Sequence, residues 1–196
     1  MDNKIRVVLT TYINENEDRL NSLFCSVHSI LAQTYQNFEI FIRHDGPFLI
    51  DGLKDKLEKL SDKITVIDDG ERLQWWGNPY RHATAIIEPQ ADWIVYANDD
   101  NYHMPVFLEE MINAAISNNS GMVYCNLIHN GFNYQVLDSY PIVSNIDQGS
   151  FMTRMDIINS TPWDNIYAPE ADGYYVEKIA AKTNPVKINK VLFVHN

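Results

Sequence analysis

The chain has 196 residues, 45% of them apolar, with 26 acidic side chains against 15 Lys and Arg and a net charge of −11. That length suits one domain with a sizeable core, and the apolar share excludes a disordered chain. The acidity excludes broad, sequence-independent binding to nucleic acid, which needs a basic footprint, though it leaves room for a local basic patch.

The N-terminus, "MDNKIRVVLTTY", carries an apolar stretch too short for a signal peptide, and 5–12 reads as a strand. No apolar run anywhere approaches a membrane span. With no leader and no integral membrane segment in view, a cytoplasmic protein is the simplest expectation. Leu20, Leu23, Phe24, Val27, Ile30 and Leu31 follow at helical spacing, with Asn14 and Glu17 as a capping pair in front. Cys25 and Cys125 each sit in an apolar periodic segment and are expected to be buried thiols; there is no disulfide framework and no CxxC metal site.

"FEIFIRHDG" (38–46) is a second strand ending in Asp45-Gly46, Leu53, Leu57 and Leu60 mark a short helix, and "KITVIDDG" (63–70) is a third strand. Asn78-Pro79 opens a helix, with a cap residue and then proline in the first turn, and Pro89 closes it. "DWIVYAN" (92–98) is a fourth strand, and Met104, Phe107, Leu108, Met111, Ile112, Ala115 and Ile116 share a face of the helix after it.

The second half reads differently. "GMVYCNLIHNGFNYQVLDSY" (121–140) predicts two strands around an Asn-Gly turn. "SFMTRMDII" (150–158) is a strand passing into a short helix, "PEADGYYVEKIAAKT" (169–183) is a helix despite Gly173, and "VKINKVLFVHN" (186–196) is a final strand. Strand–helix alternation followed by hairpins predicts one α/β domain, Rossmann-like, over 1–196: a mostly parallel mixed sheet flanked by helices.

In open parallel sheets ligands sit beyond the carboxyl ends of the strands. Thr10, Thr11 and Tyr12 lie there after strand one, Asp45 after strand two, Asp68 and Asp69 after strand three, and Asn98, Asp99 and Asp100 after strand four. Two adjacent ionised carboxylates repel unless a cation or a proton lies between them. The chain has neither GxGxxG nor GxxxxGK[ST], so a glycine-rich phosphate loop is not indicated. A carboxylate-rich site can still hold a diphosphate when a divalent cation bridges the two. Trp75-Trp76 and Trp163 fall in predicted loops, where they either fill core or offer sugar rings an apolar face.

"VVLTTYINENEDRLNSLFCSVHSILAQTYQNFEIFIRHDGP" resembles the opening of the GT-A fold glycosyltransferases, family two in the sequence classification, with His44 where the family has the first Asp of Asp-Asp-Gly. "WIVYANDDNYHMPVFLEEM" is similar to that family's DxD segment, and "DQGSFMTR", "PEADGYYVEKI" and "VLFVHN" match its later landmarks in order. The resemblance implies a GT-A fold whose 1–101 half binds the nucleotide sugar and whose 102–196 half carries acceptor and catalytic groups. It aligns the DxD triplet with Asn98-Asp99-Asp100, the first Asp being an Asn here. Asp100 then holds Mn²⁺ or Mg²⁺, with Asp99 as helper and Asn98 able to bond ribose. Asp45 would accept the uracil imide N–H, Thr10, Thr11 and Tyr12 would flank the nucleotide, and Arg81 would lie near the diphosphate. Asp172, or Glu170, would be the base; Trp76 and Trp163 would form an acceptor or sugar platform; and His195 would complete the metal site. Read alone, Asp99-Asp100 is also a helix cap, Arg81 a solvated helix charge, His195 a frayed terminal residue, and His28 and His129 structural.

These residues together predict a metal-dependent, inverting glycosyltransferase with a UDP-sugar donor. Its acceptor, whether glycan, lipid-linked precursor, protein or modified nucleobase, is not legible. One alternative is a catalytically degenerate domain that binds nucleotide sugar or serves assembly. Another is a nucleotidyltransferase, although "TTYINENEDR" lacks the glycine-rich basic loop that such enzymes carry after strand one.

Overall fold

The computed structural model describes residues 3–13, 17–74, 78–163 and 170–196. Among them nine strands form one sheet: β1 (Ile5–Thr11), β2 (Phe38–His44), β3 (Ile64–Ile67), β4 (Trp93–Asn98), β5 (Tyr102–His103), β6 (Met122–His129), β7 (Gln135–Leu137), β8 (Phe151–Arg154) and β9 (Pro185–His195). Their order is β3-β2-β1-β4-β8-β6-β9-β5, with β7 also on β6. The β3-β2-β1-β4 part is parallel; β8 runs antiparallel to β4 and β6, and β5 antiparallel to β9. The chain moves outward from β1 to β3, then returns to place β4 on the other side of β1. The crevice between the carboxyl ends of β1 and β4 is therefore the topological switch point, where α/β sheets bind ligands.

The strands alternate as a sheet covered on both faces requires. Ile5, Val7 and Leu9 of β1, with Val95 and Ala97 of β4 and Val123, Cys125 and Leu127 of β6, pack under α1 (Glu17–Leu31), α2 (Leu53–Glu58) and α4 (Phe107–Ser117). Val8, Ile94, Tyr96, Met122 and Tyr124 face the other way, under α3 (Asn78–Ala85), α5 (Met155–Asn159) and α6 (Ala171–Ala180). On that second face Arg6 is fully buried. Its guanidinium bonds Glu39 at 2.7 Å and the carbonyls of Ala85, Ile87 and Pro89, and lies 4.1 Å over the Phe41 ring. A cation thus sits at the C-terminal end of α3, where the helix dipole favours it.

Several predicted boundaries shift. The third strand stops at Ile67 and α3 at Ala85, and the short β5 precedes α4 because Tyr102 and His103 pair with Val194 and Phe193 of β9. The β6–β7 hairpin turns over 130–134, where the Asn-Gly signal predicts it: Asn130–Phe132 form a 3₁₀ turn, and Asn133 and Tyr134, both at positive φ, complete it. Cys125 is buried as expected, whereas Cys25 lies on the exposed side of α1. Asn14, Trp75 and Trp76 lie outside the described residues. Among the described residues no helix is long and apolar enough to cross a membrane.

Two glycines let the later elements close on the site. A Cβ on Gly149 would come within 2.3 Å of the Phe193 ring, so glycine brings the 148–150 turn against β9. A Cβ on Gly173 would meet the Val143 backbone at 2.7 Å, which explains a glycine inside α6: its first turn abuts the 143–144 segment.

Candidate active site

A cavity of about 1000 Å³ opens at the switch point. It is lined by Thr10, Thr11 and Tyr12 from the end of β1, Asp45 after β2, Arg81 from α3, and Asn98, Asp99 and Asp100 after β4. The second half of the chain adds Asp147, Gln148, Glu170, Asp172 and His195. The sequence-predicted site residues within the described part of the chain therefore line one space, Trp163 apart; of the strand-end acids, Asp68 and Asp69 lie outside it, paired with Lys54 at 3.0 Å and Arg43 at 2.6 Å.

The end of the cavity next to β2 is organised by hydrogen bonds. Asp45 is buried, and its two carboxylate oxygens accept the backbone N–H groups of Leu73 and Gln74 at 2.6 and 2.8 Å. Each oxygen retains a second lone pair. Tyr12 stacks on His44, ring centroids 5.5 Å apart, and lies 3.7 Å from the Arg72 guanidinium. His44, in the place of the family's acid, is fully buried; its Nε2 accepts the Ile13 N–H at 2.9 Å and its Nδ1–H donates to the Gly46 carbonyl at 2.7 Å. Burial holds the His44 pKa below its ordinary value, and both bonds suit the neutral ring. It ties the ends of β1 and β2 together.

At the centre, Asn98 is a hub. Its side-chain oxygen accepts from Arg81 at 2.8 Å, from the Gln148 amide at 2.6 Å and from Thr10 at 3.4 Å. Arg81 is buried rather than solvated, and it bonds Asn78 and Thr10 as well. Burial lowers its pKa to about 10, so it stays charged at neutral pH. Asp99 is also buried: Thr11 donates to it at 2.6 Å, and Arg19 donates to both its oxygens at 2.9 and 3.0 Å. The same guanidinium lies 3.5 Å from Asp100, whose side chain is 32% exposed. Burial raises the pKa of both carboxyls, and Arg19 works against it.

The far wall is charged and less satisfied. His195 Nδ1 meets Asp147 at 2.7 Å, and its ring lies parallel to His129, 4.1 Å between centroids. Burial opposes charge on His195, but the Asp147 carboxylate outweighs it and raises the His195 pKa above its ordinary value. Glu170 and Asp172 stand at the N-terminal end of α6, as cap residue and in the first turn. Burial, then the nearby Asp147 charge, pushes the Asp172 pKa up to about 7, with the Gly173 N–H and Arg81 pulling the other way. A carboxylate poised near neutrality beside a cavity can take a proton from a bound hydroxyl. Trp163 is stacked on Tyr175 at 4.1 Å and set edge-on to Tyr96, inside the aromatic cluster that supports α6.

Among the described residues no three His, Cys, Asp or Glu side chains converge as a ready-made metal site. Asp100 and His195 nevertheless fit a divalent ion that takes its other ligands from a diphosphate and water, the usual arrangement for magnesium. His195 lines the cavity with its Nδ1 engaged by Asp147, the carboxylate–histidine pairing that orients metal-binding imidazoles.

Sequence reading overlooked Arg19, Asp147, Gln148 and the cavity-lining position of His129. Asp147 was within reach, since it opens the "DQGSFMTR" landmark as an acid directly before a Gln-Gly turn. Arg19 sits in "NEDRLNS", where it cannot be told from a solvated helix charge.

Comparisons place the chain among known proteins. Over their sequences, no curated protein matches it. In structure it resembles TarS 1–349 of S. aureus, at 12% identity and TM-score 0.75 over 98% of this chain and 60% of that one. TarS 1–349 in complex with UDP-GlcNAc superposes at TM-score 0.76 with 14% identity, over 97% of this chain and 58% of that one. The mannosyltransferase PcManGT of Pyrobaculum calidifontis, in complex with GDP-Man and Mn²⁺, gives TM-score 0.74 with 14% identity, over 97% of this chain and 56% of that one. The chain thus spans about three-fifths of the length of these neighbours, which at such identities establish the GT-A fold. The family model for glycosyl transferase family 2 matches residues 7–161. The chain belongs to glycosyl transferase family 2, and its switch-point cavity belongs to a GT-A glycosyltransferase domain.

Proposed function

We propose that this domain transfers a sugar with inversion from a UDP-sugar to an acceptor hydroxyl, using a divalent cation held by Asp100 and His195. The observation that carries this reading is the placement of Asp172: in the first turn of α6, it lines the same cavity as the acidic pair at the switch point, where burial and Asp147 raise its pKa. Neighbours of the same fold are known in complex with UDP-GlcNAc and with GDP-Man and Mn²⁺, which supports a nucleotide-sugar donor.

Asp45 takes the imide N–H of uracil on its remaining lone pairs, with Tyr12 and Thr10 beside the base. Thr11 and Asp99 shape the floor under the diphosphate, and Arg81 and Asn98 fix that floor through their mutual bond. When bound, the divalent cation offsets charge building on the departing diphosphate. Asp172 accepts the proton of the acceptor hydroxyl as its oxygen bonds to the anomeric carbon. The bond from that carbon to the diphosphate oxygen breaks, and UDP leaves with the bonding electrons. Direct displacement places the acceptor opposite the leaving group, so the configuration inverts. Glu170, at the cap of the same helix, is the reserve candidate for base.

The test is calorimetry with UDP, with and without Mn²⁺, together with UDP release from a panel of UDP- and GDP-sugars. We expect Mn²⁺ to tighten UDP binding and one UDP-sugar to be turned over. Equal UDP affinity with and without the ion would remove the metal. Binding without UDP release from any donor would favour a domain that only binds nucleotide sugar.

A further inference from the structure

Two neighbouring carboxylates in a partly buried site, when both are ionised, require a positive charge between them. The fold supplies one from its own chain. Arg19, on the first turns of α1, spans both: it donates to Asp99 Oδ1 and Oδ2 at 2.9 and 3.0 Å, and its other terminal nitrogen lies 3.5 Å from Asp100 Oδ2. The two acids are held differently. Asp99 is 4% exposed and has the Thr11 hydroxyl as a second partner at 2.6 Å, so it is locked into the protein. Asp100 is 32% exposed at a longer contact, and Arg19 itself is 45% exposed, with room to move. One carboxylate of the pair anchors the guanidinium, and the other shares it with the cavity.

We infer that Arg19 is a resident counter-cation that competes with the divalent ion for Asp100, so that the ion is taken up tightly only together with the donor's diphosphate. This rests on the metal-dependent reading above. An ion arriving alone must displace a positive charge already paired with Asp100, and two like charges cannot share one carboxylate without cost. A diphosphate changes the balance, because it brings anionic oxygens that ligate the ion and also accept from the Arg19 nitrogen that leaves Asp100. Arg19 then remains anchored on Asp99 while releasing Asp100. The consequence is ordered loading, with ion and donor each promoting the other, as linkage requires.

The experiment is titration of the protein with Mn²⁺, following free ion by electron paramagnetic resonance, with and without UDP, for the unmodified chain, Arg19→Gln and Arg19→Lys. Without UDP, Arg19→Gln should bind Mn²⁺ about tenfold tighter than the unmodified chain, within the usual span of site-to-site coupling. The gap between the curves with and without UDP should narrow by a similar factor. Arg19→Lys, which keeps the charge, should stay near the unmodified curve, and circular dichroism should confirm that all three proteins are folded. If Arg19→Gln binds the ion alone no more tightly than the unmodified chain, while UDP still promotes ion binding in both, the Arg19 inference fails and the metal-dependent reading stands. If no protein binds Mn²⁺ even with UDP, both fail. A misfolded Arg19→Gln leaves Arg19→Ala at the same exposed position as the second neutral variant, judged by the same criterion.

Discussion

Asp99, buried, and Asp172, half-buried, are acids on the same cavity, and the protein treats them in opposite ways. Asp99 receives a hydroxyl at 2.6 Å and a guanidinium on both oxygens. Asp172 accepts the backbone N–H of its neighbour Gly173 at 2.8 Å, and it faces the Asp147 charge. One acid is matched by a bonded cation; the other, with a pKa of about 7, is shared between its charged and protonated forms near neutral pH. The half of the cavity built on β1 and β4 is thus fitted to hold charge in place, and the half built on the 147–150 turn and α6 is fitted to move it.

Substitution of the proton-accepting acid tests that contrast most directly. Asp172→Asn should reduce transfer by about a hundredfold or more, the scale for losing a general base, while calorimetry should find UDP binding unchanged. If turnover survives, the role passes to Glu170 or the contrast is wrong. Asp45→Ala, at the charge-holding end, should instead weaken UDP binding and release the 73–74 segment, raising KM more than it lowers kcat.

Next in size is removal of His195 and Asn196. It should leave the fold intact and weaken Mn²⁺-dependent UDP binding by about tenfold to a hundredfold, the range for lost or misoriented metal contacts. Full transfer with the same Mn²⁺ requirement would take His195 out of the site.

The pH profile separates the two acids without mutation. Asp172 must be ionised to accept a proton, so kcat/KM should rise tenfold per unit toward a plateau above its pKa of about 7. A kcat/KM limb displaced from about 7 would take Asp172 out of the role of base.

The smallest effect is on stability, and its sign is diagnostic. The folded pKa of Asp172 is raised, so its carboxyl favours folding below the unfolded value, and that advantage is lost as pH rises through about 7. Asp172→Asn should therefore melt several degrees higher than the unmodified protein at pH 8, with the gap closing toward pH 4. A lower melting temperature at pH 8 would mean that Asp172 is a paired structural acid like Asp99.

Much of this was legible from the chain. The apolar alternation of "IRVVLTT" and "WIVYAN" marked strands buried on both faces, and the acids at their ends marked the cavity, because strand direction places those ends together. Asp172 in the first turn of a helix followed from "PEADGYY". The positive-φ pair at Asn133-Tyr134 was hidden behind the stronger Asn-Gly signal. Trp163 in a loop looked available, but a loop assignment does not reveal that Tyr175 covers the ring.

By itself the sequence determined the strand–helix alternation, the family, and the positions of the acids along the chain, since these depend on local periodicity and on order. Only the tertiary structure decided what each acid faces. Arg19 is 80 residues from Asp99 in the chain, His195 is 48 from Asp147, and Arg81 is 71 from Thr10. Charge is settled by neighbours within a few ångströms, and the β3-β2-β1-β4-β8-β6-β9-β5 order, not the sequence spacing, chose those neighbours.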